Sequence, residues 1–298
     1  MKYGIREICE VVLKAKANQK IGNKMFYKGE PVIYFDSLKT STMEGAATTV
    51  YAQGGRGNSR LIAWEGERTV TFTMEDALIS TTGLLILTGA GLVEPAKGKP
   101  MPVHVVETTE KVVKGADEVT ITLKKTVSED PDATIYVMLK DGDRIVSEPY
   151  IAKAGTADKT IVIKADEKYT PNLDVFGENN VVVVDYYTDV ETGMQQIEIT
   201  PDKFGGNFYL EASTLFRDTN GVDMPAEFII PNCKVQSNFT FNMASSGDPS
   251  TFTFTMDAFP DYTRFDPTKK VLSVIQVITE EDEEDGGNRV ATNYDYRA

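Results

Sequence analysis

Histidine and cysteine are almost missing from this 298-residue chain: His104 is the single histidine, and Cys9 and Cys233 are the only cysteines. Clustered His/Cys metal sites are thereby excluded. A serine or cysteine nucleophile would have no imidazole partner except His104, which sits in a Val103-His104-Val105 strand context and reads as a partly exposed structural residue. The two cysteines lie far apart in apolar segments and read as buried thiols of a reducing compartment, not as a disulfide. Positive charge is also short, with 31 basic against 45 acidic residues and a net charge of −14. That balance argues against nucleic acid as an attractive partner, because such binding rests on basic contacts to phosphate. Apolar runs of membrane-spanning length are absent, and charges interrupt every apolar run of the N-terminus, which therefore does not read as a secretory signal.

What the chain has instead is short alternating apolar and hydroxyl-bearing runs. Phe252 and Phe254 alternate with Thr251, Thr253 and Thr255, and Phe239 and Phe241 alternate with Thr240 and Asn242. With Gly247-Asp248-Pro249 between them, these runs predict a hairpin with one aromatic face. Val271 to Ile278 predicts a further strand, apolar on both sides and so covered on both faces. The phrase Thr71-Phe72-Thr73-Met74 returns as Thr253-Phe254-Thr255-Met256, which puts two distant segments in one sheet system.

Taken in order, Ile5, Ile8, Cys9, Val12 and Leu13 recur at helical spacing and predict a short N-terminal amphipathic helix ending near Ala17-Asn18. Met25 to Phe35 reads as a strand pair. Ala46 to Gln53 and Arg60 to Met74 read as strands joined by Gly54-Gly55-Arg56-Gly57-Asn58-Ser59. This loop is a hairpin tip and not a phosphate cradle, since no Lys-Ser/Thr closes it and no helix follows. Trp64, the only tryptophan, stands among Arg60, Glu65, Glu67 and Arg68. A charged strand around one large aromatic suits a subunit contact; a core tryptophan with a solvated opposite face is the other reading. Glu75 to Leu92 fits a short helix or turn packed on the sheet.

Val93 to Pro102 carries three prolines and marks a change of composition. Residues 101–195 then read as short strands with turn signals, including an Asp141-Gly142 hairpin, and predict a small immunoglobulin-like β-sandwich inserted between a first part at 1–100 and a second at 196–298. Pro225 and Pro231 bracket Glu227 to Ile230, which reads as an edge or short bridging strand. Six acids follow one another from Glu280 to Asp285, and such a run cannot form a core. No acid pair stands out for hydrolysis, so the expectation is an all-β protein without catalytic residues, metal or cofactor.

Three phrases carry a resemblance: residues 42–80, residues 199–261, and DPTKKVLSVIQVI at 266–278. In overall wording they resemble the tail tube proteins of tailed bacteriophages, in two blocks on either side of the inserted segment. The resemblance implies a β-sandwich subunit, its sheet contributing to a barrel, that oligomerises with itself into rings, commonly of six, stacked as a hollow tube in the virion tail. It implies assembly in the host cytoplasm, contact with sheath, baseplate and tape measure proteins, and DNA passing through the lumen without specific binding and without any membrane. By the same resemblance the early loop near Tyr51 to Arg60 and arms at 1–20 and 280–298 bridge rings. Tyr51, Gln53, Arg56, Asn58, Arg60, Trp64, Glu65 and Arg68 are the interface candidates. Other readings are a head decoration or tail terminator protein and a cell-surface, carbohydrate-binding β protein.

Overall fold

Alternation, rather than helical spacing, governs the first residues of the chain. In the computed structural model, which describes residues 2–278 other than 6, 166–169, 178–179, 242, 244 and 247–249, the segment expected as a helix holds β1 (Tyr3–Ile5) and β2 (Glu10–Ala15). The small hairpin β3 (Gln19–Ile21) and β4 (Lys24–Phe26) follows, then β5 (Pro31–Phe35). Met25 to Phe35 is therefore not one strand pair, because β4 pairs with β3 while β5 pairs with β2. Two long strands, β6 (Leu38–Gly54) and β7 (Ser59–Asp76), pair antiparallel along their length. Helix α1 (Thr81–Thr88) is capped by Ser80, whose Oγ accepts from Gly83 N at 2.9 Å. It ends at Gly89, where φ is +68° and a Cβ would lie 2.3 Å from the Phe204 carbonyl carbon, so only glycine closes this turn against its neighbour. Strand β8 (Gly91–Val93) leads out of this part of the chain.

The chain divides into two compact units, residues 92–196 and residues 1–91 with 197–298. The 92–196 unit contains β9 (Met101–Thr109), β10 (Val112–Lys114), β11 (Glu118–Thr122), β12 (Ile135–Asp141), β13 (Arg144–Ile145), β14 (Tyr150–Ala154), β15 (Thr160–Lys164) and β16 (Val181–Val190). They form one curled sheet in the order β10-β11-β15-β14-β12-β16-β9, with β13 on β12. Gly142, at φ +54°, makes the hairpin turn between β12 and β13. Val119, Ile121, Val137, Ile161, Ile163, Val182, Val184 and Tyr186 have no accessible surface and make this unit's own core. Inside it, Tyr186 Oη donates to Glu107 Oε2 at 3.2 Å. Strand β17 (Gln196–Glu198) brings the chain back and pairs with β8.

The remaining strands are β18 (Asn207–Asp218), β19 (Asp223–Val235), β20 (Phe252–Ala258), β21 (Asp261–Tyr262), β22 (Lys270–Val271) and β23 (Val274–Val277). A nine-stranded sheet runs β5-β2-β18-β19-β20-β7-β6, with β1 on β18 and β23 on β19. The need to fill the slot between β5 and β18 explains the N-terminus. Val11, Leu13 and Ala15 form a period-2 set buried in the core, and they outcompete the helical-spacing set because β5 and β18 pair with this strand on both sides. With β2 a central strand, residues 10–15 are part of their own subunit's sheet and not a bridging arm.

The echoed phrases are neighbours: Phe72 stands opposite Met256 and Met74 opposite Phe254, all four buried with Leu13, Phe208 and Ile230 in the core of the larger unit. Residues Glu227 to Ile230, expected at an edge, lie in a 13-residue strand flanked by strands on both sides. Its two prolines are tolerated for local reasons. Pro231 falls in a register shift against β18, and the Pro225 carbonyl accepts from Ile278 N just beyond the last residue of β23, so the missing N–H forfeits one bond at the very end of that pairing. Phe239 and Phe241 are not in a strand, although their rings meet edge to face and Phe241 meets Phe252 in the same way. Their expected turn at 247–249, like the acidic run at 280–285, lies outside the described residues. Strand β23 is shorter than Val271 to Ile278 and, among the described residues, pairs on one side only, leaving Ile275 exposed instead of covered.

Both free thiols are buried, and burial pushes the Cys233 thiol up to about 12. In the other unit, burial first and Glu107 second push Tyr186 up to about 12. A folded-state value above the unfolded one means stability that is whole below the unfolded value and is lost as pH rises through the folded one. Thermal unfolding is therefore expected to hold steady from neutral pH to about 9 and to fall progressively toward pH 12. Calorimetry across that range, with tyrosinate absorbance followed in parallel, checks it. Thiol reagents at neutral pH should label Cys233 only after unfolding.

Candidate functional site

The β6–β7 pair is far longer than the sheet that supports it. Strand β20 pairs with β7 only from Thr71 to Asp76, so the rest of β7 and its β6 partner project as a two-stranded ribbon. Every residue from Ser59 to Thr69 is exposed, so the ribbon is wet on both faces. An isolated hairpin of this kind is marginal in water, and its exposed apolar content is high for a free surface. Val50 is 63% exposed, Leu61 65%, Ile62 54% and Trp64 53%.

Register places these side chains. Val50 opposes Trp64 and Ala52 opposes Ile62, so by strand alternation those four share one face. Tyr51 opposes Ala63 on the other face, and the Arg60 guanidinium lies 4.1 Å over the Tyr51 ring. Glu65 opposes Thr49 and Arg68 opposes Ala47. At the tip, Gly55, Gly57 and Asn58 take φ of +78°, +93° and +50°, which is why two glycines and an asparagine flank Arg56. Asn58 Nδ2 donates to Gln53 Oε1 at 3.4 Å. The eight interface candidates thus fall on one ribbon. Val50, Leu61 and Ile62 belong with them and were not singled out from sequence, although a run of strand-forming residues longer than a sheet needs was the available signal.

A second feature is the sheet face turned away from the core. Thr42 and Glu44 stand in register with Thr73 and Thr71, and these with Thr255 and Asp257; Glu75 opposes Thr253. Farther along, Ser213 lies between Glu10 and Glu227. Burial and the neighbouring Glu211 raise the Glu227 carboxyl, while Lys14, ion-paired with Glu211, lowers it. Hydroxyls and carboxylates dominate this face along β6, β7 and β20; toward β2, β18 and β19 the same alternation adds Val12, Leu215 and Ile229, with Lys14, Arg217 and Lys234 as cations.

Elsewhere, His104 Nε2 lies 2.8 Å from Asp185 Oδ1 and its ring lies tilted 5.4 Å from that of Tyr187, so it is held on the surface of the smaller unit. Among the described residues no three His, Cys, Asp or Glu side chains are placed to hold a metal ion, and no helix is long and apolar enough to cross a membrane.

Comparison with curated proteins finds no match. A family model, described as the YomU/Tube protein family, matches residues 5–271. It spans nearly the whole chain, both the strands that build the ribbon and those that build the hydroxyl and carboxylate face. A protein of paired strands with a long exposed ribbon fits that match, and the chain belongs to the YomU/Tube protein family of phage tail tube proteins.

Proposed function

We propose that this chain is the repeating subunit of a phage tail tube, joining copies of itself into rings that stack around a lumen through which DNA leaves the virion. The ribbon carries this reading. Its apolar side chains on both faces gain their stabilisation only when a neighbouring copy covers them, at roughly 25 cal/mol per Å² of apolar surface removed from water. The outer edge of β6, unpaired among the described residues, offers backbone groups for the same purpose. The hydroxyl and carboxylate face suits a wall that a polyanion slides past, since like charge denies phosphate a binding site. The role requires no catalytic group. Negative-stain microscopy of purified protein at rising concentration tests it: hollow tubes of uniform width are expected, and a species that stays monomeric by sedimentation at all concentrations would sink it.

We infer further that residues 101–195 are an inserted module. The two units have separate hydrophobic cores, and the paired β8 and β17 bring the ends of the segment together. Replacing residues 94–195 by a short Gly-Ser linker is expected to leave the tube domain folded and able to assemble. Circular dichroism and microscopy check this; loss of the β-sheet signal would show that the segment is integral to the domain.

A further inference from the structure

Three charged side chains meet in the middle of the nine-stranded sheet, on the side away from its core. Lys14, Glu211 and Glu227 come from the neighbouring strands β2, β18 and β19. Lys14 stands opposite Tyr209 and Glu211 opposite Val12, so the lysine and the glutamate are diagonal neighbours, and Lys14 Nζ rests against Glu211 Oε2. Glu227, opposite Ser213, is the diagonal neighbour of Glu211 on its other flank. The group is largely withdrawn from water. The side chains of Lys14 and Glu211 are 17% and 21% exposed, and beside them Tyr209 is 8% and Ile229 6% exposed. Arg264 N donates to Tyr209 Oη at 3.4 Å, which ties the segment after β21 to this spot. Burial first and the Glu211 charge second push the Glu227 carboxyl up, so it keeps its proton to higher pH than an ordinary glutamate.

We propose that Lys14 and Glu211 condense in the folded subunit into an isopeptide bond, with Glu227 as the proton carrier. An ion pair drawn out of water bears a desolvation cost on both ions, and a neutral amide does not. Pairing on both sides of β2 and of β18 fixes the two backbones. An amine and an acid held in contact and well oriented react as though present at about 10⁵–10⁸ M. A proton first passes from the Lys14 ammonium to the Glu211 carboxylate. The Nζ lone pair then attacks Glu211 Cδ and forms the C–N bond; Glu227 gives its proton to the departing hydroxyl and takes one from Nζ. The C–O bond breaks and one water leaves. Nothing is oxidised or reduced, and Glu227 ends as it began. The Lys16–Asp261 ion pair differs, since its charged neighbour is a second lysine, Lys270, in place of an acid. The bond joins residues 197 apart, so β2 cannot peel from β18 without breaking a covalent link.

Intact-mass measurement of the purified full chain, kept folded at neutral pH, tests this. The mass is expected to fall short of the sequence by one water, and a protease digest should yield a branched peptide joining Lys14 to Glu211, with no tryptic cleavage after Lys14. The same chain held in urea from the start should keep its full mass, because only the fold brings the two groups together. Lys14→Arg preserves the charge but cannot condense, so it should keep its full mass and run more slowly on a denaturing gel than the looped wild type. Glu227→Gln should fold and form the bond at least about 100-fold more slowly, the usual worth of a placed proton carrier. A folded wild-type chain that retains its full mass on prolonged incubation would overturn the proposal, and so would a loss of water that persists in Lys14→Arg. The wild-type digest decides the matter even where a variant fails to fold, and neither negative result touches the tube reading.

Discussion

Replacing residues 46–69 with Asn-Gly is expected to give a folded, soluble subunit that forms no tubes at any concentration. Gly45 and Val70 are a paired position of β6 and β7, so a two-residue turn closes the hairpin there with a geometry that suits the strand twist. Nothing in the removed stretch belongs to the core: Phe72 and Met74 come after it, and Met43, packed against that core, comes before it. The loss in subunit stability should be about 1 kcal/mol or less, because an isolated ribbon contributes little to the fold that carries it. Association should fall at least about 1,000-fold, since the apolar side chains and backbone edges offered to a neighbour go together. Thermal unfolding and sedimentation velocity separate the two effects. A shortened variant that still assembled would move the self-association surface off the ribbon. One that unfolded would show that the ribbon folds back as part of the core.

Much of this was legible in the residues, and the exceptions have physical causes. The Thr-Phe-Thr-Met echo pointed to one sheet system because alternating aromatic and hydroxyl side chains sort onto two faces, and β7 and β20 turn out to be direct neighbours in register. The glycine-rich tip was readable because positive φ at Gly55 and Gly57 leaves little other choice of residue. The N-terminus was misread because Ile5, Ile8, Cys9, Val12 and Leu13 satisfy helical spacing while Val11, Leu13 and Ala15 satisfy strand spacing. Local pattern cannot choose between them, and the decision comes from β18, some 200 residues away. Pro225 and Pro231 suggested an edge because the rule about proline in strands is silent on bulges and strand ends, which are set by partners. The ribbon's exposure was not legible either. Leu61 and Ile62 look like core residues in any strand and Trp64 reads either way, and it is the length of β7 beyond β20 that leaves all three uncovered among the described residues.

The largest effect on folding is expected from the N-terminus. Deleting residues 2–15 removes β2 from between β5 and β18, and with it Val11, Leu13 and Ala15, none more than 1% exposed. Fully burying an aliphatic side chain is worth about 1.5–3 kcal/mol, and the vacated slot would leave a cavity and two unpaired strand edges. Together these reach the whole stability of an ordinary domain, about 5–15 kcal/mol, so the truncated chain should not fold. Leu13→Ala alone should cost about 2–5 kcal/mol. Deleting only residues 2–8 removes β1, which pairs with the end of β18 and is exposed along its length, together with the bond from Thr214 Oγ1 to the Glu7 carbonyl. That shorter deletion should cost about 1–2 kcal/mol and leave the sheet standing. An arm that merely reached a neighbour would behave differently: both deletions would spare the subunit and weaken only assembly. Urea denaturation of the three variants, read by far-ultraviolet circular dichroism, decides between a central strand and an arm, and a cooperative transition surviving in the 2–15 deletion would refute the strand.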